Sequence, residues 1–77
     1  METIDKKIDL SGLNCPLPIL RTKKILAELE SGKVLEVIAT DPAAPKDFEA
    51  FCRQTGHRLL NSSIGEDGKF YLILQRK

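Results

Sequence analysis

A chain of 77 residues with 42% apolar side chains and no tryptophan can bury one mostly aliphatic core and not a second. Twelve Lys and Arg against eleven Asp and Glu leave a formal charge of +1, without the basic excess of a dedicated nucleic-acid binder. Two cysteines make no disulfide framework, and no run is apolar and long enough for a signal peptide or a membrane span.

Without an export signal the expected compartment is the cytoplasm, where a free thiol is the ordinary state. No repeat, low-complexity tract or linker interrupts the chain, so one domain is expected over residues 1–77. It opens with "TIDKKIDL", where Ile4, Ile8 and Leu10 alternate with polar residues as in a half-buried strand. "SGLN" has turn chemistry. From Pro16 to Ser31 the period becomes helical. Ile19, Thr22, Leu26 and Leu29 share one face with Ile25 beside them, and Arg21, Lys24 and Glu28 take the opposite face. Gly32 suits the position just past the helix end.

"KVLEVIAT" predicts a second strand, and "TDPAAP" breaks it. Pro45 fits the first turn of a second helix, in which Phe48, Phe51, Cys52 and Thr55 follow the i, i+3, i+4, i+7 pattern of a buried face. Gly56 ends that helix. "HRLLNSSI" predicts a polar strand, Asp67-Gly68 a tight turn, and "FYLILQR" a strand apolar on both faces. The order βαβαββ, with a parallel first pair and a final hairpin, predicts a two-layer α/β sandwich. Its mixed four-stranded sheet has the order 1-2-4-3, with the apolar last strand inside and the polar third strand at the edge. Both helices cover one face.

Chemistry concentrates at "SGLNCPLPIL". Proline biases the residue before it toward extended angles, so Cys15 is expected at the helix cap and Pro16 at the first helical position. Gly12 and Pro18 shape the turn. A thiol at a helix N-terminus is expected to titrate below its ordinary value, moderated by the two amides that the prolines lack. Cysteine is among the most buried residue types, but a loop–helix junction is a poor place for a core side chain. Cys52, on the apolar stripe, is the core thiol. Sequence does not decide whether the two form a bridge, which depends on their separation.

Other chemistry is thin. Cys15, Cys52 and His57 are the only soft ligands and match no zinc spacing, so no metal is expected. His57 follows the helix-ending Gly56 and is read as a surface residue. No nucleophilic triad, phosphate-cradling loop or carboxylate pair is recognisable, and no cofactor is expected. Two rival readings stay open. One is a regulatory or RNA-binding module, with Arg21, Lys23 and Lys24 clustered on the first helix. The other is a dithiol redox protein using both cysteines.

"DLSGLNCPLPIL" resembles the Asp-x-x-Gly-Leu-x-Cys-Pro-x-Pro signature of the TusA/SirA-like sulfur carriers, through Asp9, Gly12, Leu13, Cys15, Pro16 and Pro18. "TDPAAPKDFEAFCRQTGH" resembles the same family's downstream segment, and the likeness covers essentially the whole chain. It implies the same βαβαββ fold and a carrier, not an enzyme in its own right, that takes sulfane sulfur as a persulfide on Cys15. The implied donor is a cysteine desulfurase or rhodanese-like protein, and the implied acceptor a DsrE-like or other sulfurtransferase. Pathways in the family include tRNA thiolation, molybdenum-cofactor assembly and sulfur oxidation. Gly12, Pro16 and Pro18 carry over as shape-setting residues. Asp9 matches the motif with no chemical role assigned and is read as a solvated strand-end carboxylate. Leu17, Arg21 and Lys24 form a small apolar contact rimmed by charge, expected to border Cys15 and to dock partners. The carrier is expected to be a monomer.

Overall fold

The structure is a computed structural model that describes residues 3–77; the first two residues of the expected 1–77 domain lie outside the described residues. The elements are β1 (Lys6–Asp9), α1 (Leu17–Glu28), β2 (Val34–Ala39), α2 (Ala44–Thr55), β3 (Arg58–Ile64) and β4 (Phe70–Gln75). They form one four-stranded sheet in the order β1-β2-β4-β3. β1 runs parallel to β2, and β4 is antiparallel to both β2 and β3. This is the expected mixed α+β sandwich.

Strand alternation puts the core on one face of the sheet. Leu35 lies opposite Leu74 and Val37 opposite Leu72; all four are fully buried. Glu36, Ile38, Tyr71 and Ile73 point the other way and are half-buried. Leu26 of α1 joins the core cluster with Ala44, Phe48, Phe51 and Cys52 of α2, so both helices cover the same face. Full burial of a side chain such as Phe48 contributes roughly 1.5–3 kcal/mol. The polar β3 takes the sheet edge, and an irregularity between Leu59 and Asn61 shifts its register with β4.

Local corrections concern the ends of elements. β1 begins at Lys6, short of the predicted Thr3, although Ile8 and Leu10 still pack into the core. α1 ends at Glu28, short of Ser31, because Leu29 turns extended while its amide donates to the Leu26 carbonyl. Gly32 is therefore not the residue after the helix. It turns the chain into β2 at φ +86° and donates its amide to the Arg76 carbonyl at 2.9 Å. Gly56 behaves as expected. It closes α2 in the left-handed region at φ +88°, its amide reaching the Cys52 carbonyl at 2.9 Å.

Candidate functional site

The loop between β1 and α1 is tied down one backbone group at a time. Asp9 Oδ1 accepts the Ser11 amide at 2.9 Å and the Ser11 hydroxyl at 2.6 Å. These bonds close the turn after β1 and hold the Asp9 carboxyl below its usual range. The strand-end carboxylate is thus exposed as predicted, but it has a structural task that the sequence reading did not give it. Gly12 follows at φ +84°, where a side chain is strained, and donates its amide to Thr40 Oγ1 at 2.8 Å.

Asp41 anchors the next step. Its Oδ2 accepts the Cys15 amide at 2.8 Å, and its Oδ1 accepts the Ala43 amide at 3.2 Å. Only 9% of Asp41 is exposed. One buried carboxylate thus fastens the Cys15 loop to the loop that starts α2. Pro16 is the residue before α1 rather than its first residue. The helix starts at Leu17, and the ring of Pro18, in its first turn, is buried. Cys15 therefore lies one residue further from the helix than expected.

The Cys15 side chain is exposed, the Cys52 side chain is buried, and both are free thiols. Burial pushes the Cys52 thiol up to about 11, as befits a core residue. Cys15 opens onto a groove of about 220 Å³ between the helices. Pro16 and Ile19 form one wall, and Asp47, Ala50, Phe51 and Gln54 form the other.

The electrostatics overturn the expectation of a thiol activated by the helix end. The Cys15 thiol is raised, first by hydrogen bonding to the Asp47 carboxylate, then by desolvation and by the negative charges of Asp47 and Asp41. Its sulfur and one oxygen from each carboxylate all lie within 4.8 Å of one another. The helix offers little to offset them. Pro16 and Pro18 have no amide proton, and the Leu17 amide is taken by the Asn14 carbonyl at 2.9 Å. The hydrogen bond to Asp47 and the nearby carboxylates outweigh a depleted macrodipole end.

Nothing in the sequence pattern assigns Asp41 or Asp47 a chemical role. Both stand in the motif-matching second segment, and that match was the one signal available. Arg21 and Lys24 line a separate depression with Lys6, Ile25 and Glu28, not the groove at Cys15. Leu17 is exposed two residues after Cys15, and so is Leu20, which shares its helical face and was missed. His57 is half-buried rather than superficial. It packs against the Phe51 ring at 5.7 Å between centroids, and its Nδ1 accepts the Lys77 amide at 3.1 Å. Burial, with Lys77 and Arg76 nearby, lowers its pKa.

The family model described as Sulfurtransferase TusA matches residues 6–76. This chain belongs to the TusA family. The sulfur carrier protein TusA of Allochromatium vinosum is 54% identical over 76 residues, 99% of each chain. A Neisseria meningitidis protein, also described as a sulfur carrier, is 61% identical over 70 residues, covering 91% of this chain and 93% of its own. Among solved structures, a SirA-like protein from Desulfitobacterium hafniense superposes with a TM-score of 0.82 at 27% identity, covering 91% of this chain and 95% of that one. A sulfur-carrier role is therefore supported by the family. Among the described residues, no helix is long and apolar enough to cross a membrane.

Proposed function

We propose that this protein takes sulfane sulfur as a persulfide on Cys15 and relays it to a cysteine of a partner protein. The observation that carries this reading is the contrast between the thiols. Cys15 is exposed at the mouth of a groove with its backbone held by Asp41, whereas Cys52 is sealed in the core. Loading forms a sulfur–sulfur bond at Cys15 and breaks one in the donor's persulfide. Discharge reverses this toward the acceptor. The protein supplies position and access, and its partners supply the activated sulfur.

The donor in this reading is a cysteine desulfurase or rhodanese-like protein, and the acceptor a DsrE-like or other sulfurtransferase, in a cytoplasmic relay. tRNA thiolation, molybdenum-cofactor assembly and sulfur oxidation are the destinations implied by the family resemblance. Leu17, Arg21 and Lys24, with Leu20 between them, are proposed as the docking face.

Mass spectrometry after incubation with a cysteine desulfurase and cysteine tests the assignment. Sulfur-sized additions are expected on Cys15. Cys15→Ser should abolish them. Cys52→Ser should keep them while losing stability, because a buried hydroxyl replaces a thiol in an apolar setting. Loading that survives Cys15→Ser and vanishes in Cys52→Ser refutes the assignment.

A further inference from the structure

We propose that Asp47, backed by Asp41, restrains Cys15 from exchanging sulfur with free thiols, and that a partner lifts the restraint by bringing a cationic side chain to this carboxylate pair. The proposal rests on the reading that Cys15 carries a persulfide. The charged groups facing the sulfur are Asp41, from the loop after β2, and Asp47, from the first turn of α2. Asp41 is already engaged by two backbone amides, whereas Asp47 faces the thiol and forms part of the groove wall. Among the described residues the ion pairs are Lys7 with Glu36 and Arg53 with Glu49, so neither aspartate is paired with a described cation. The Asp47 carboxylate in the wall of an open groove, with Asp41 behind it, complements a positively charged partner loop.

The chemistry gives the carboxylates their effect. In discharge, an incoming thiolate attacks the outer sulfur of the Cys15 persulfide. A sulfur–sulfur bond forms to the attacker, and the bond to Cys15 breaks. Its electron pair leaves on Sγ, which takes a proton from water. Loading runs the same exchange with Cys15 as the attacking thiolate. In both directions negative charge sits on Sγ beside Asp47. A thiol with higher proton affinity leaves more slowly, so the carboxylates hold the sulfur in place. A cation at the carboxylates offsets that charge only while the partner is bound.

The test uses the full chain in a Cys52→Ser background. Alkylation rate against pH should give a midpoint for Cys15 above that of an ordinary thiol, and Asp47→Asn should lower it. Asp47→Glu, which keeps the charge, should stay nearer the parent. Discharge of the loaded protein to neutral 2-mercaptoethanol should speed up by about three- to tenfold in Asp47→Asn. Cationic cysteamine should discharge the parent faster than 2-mercaptoethanol, and this preference should shrink in the variant. Raising ionic strength should lower the parent's own midpoint by screening the carboxylates, a measurement that needs no variant to fold. The proposal is overturned if the midpoint and discharge rates of Asp47→Asn stay within about twofold of the parent and the parent's midpoint ignores salt. A chain that never loads sulfur defeats the relay reading instead, and the alkylation arm still decides the role of Asp47.

Discussion

Asp41 does at one residue what the Cys15 loop cannot do for itself. The Gly12 and Cys15 amides of this loop bond side chains of Thr40 and Asp41, so its shape depends on acceptors brought from across the fold. Asp41→Ala would leave the Cys15 and Ala43 amides without their acceptor. The expected cost is about 1–3 kcal/mol. Each kcal/mol lowers the melting temperature of a domain this size by roughly 4–8 °C. Asp41→Asn should lose less. Its amide oxygen can still take the Cys15 amide, but its NH₂ group cannot accept from Ala43. Thermal melts of the two variants check this, and an Asp41→Ala protein as stable as the parent contradicts it. Asp9 is legible only in retrospect. An Asx turn needs an Asp two residues before its bonded amide, and "DLS" contains that spacing, yet the same letters also fit a solvated strand end.

At the scale of elements, α1 carries an internal inconsistency. Thr22 falls on the buried stripe and is fully buried, but its hydroxyl has no hydrogen-bond partner. A buried hydroxyl without a partner costs more than a methyl group of the same shape. Thr22→Val should therefore stabilise the protein by about 1 kcal/mol, since valine also packs well in the core. Chemical denaturation should show a raised midpoint with an unchanged slope. A lowered midpoint would mean that the hydroxyl is satisfied in solution. The stripe itself was legible in sequence, because a helix repeats its buried positions at fixed spacing. Its ends were not. The Leu29 backbone turns extended and stops α1 a turn before Gly32, and no residue type at that point marks the stop.

Across the whole molecule, the groove at Cys15 and the charged depression at Arg21 and Lys24 are distinct features. The exposed Leu17 and Leu20 share the helical face of Arg21 and Lys24. A carrier must bind and release repeatedly, and a small apolar contact with a charged rim suits brief encounters. Arg21→Glu combined with Lys24→Glu should slow transfer with at least one protein partner and alter its salt dependence. Alkylation of Cys15 by a small reagent should stay within a few-fold of the parent, because these side chains do not line its groove. Stopped-flow or quenched transfer assays at low and high salt make the comparison. Parental rates for both donor and acceptor steps at low salt would leave these side chains as ordinary surface.

The order of elements, the 1-2-4-3 sheet, the two buried helical stripes and the separation of an exposed Cys15 from a core Cys52 were all determined by the sequence itself. Each depends on local spacing or on rules of chain connection. The direction in which the Cys15 thiol pKa moves was decided by the tertiary structure. From sequence, Cys15 faces the start of a helix, which argues for a lowered thiol pKa. In space it also faces Asp41 and Asp47, from segments far along the chain, and they reverse the sign. Charge acts through distance in space, and the fold sets that distance by pinning the loop after β2 against the loop before α1.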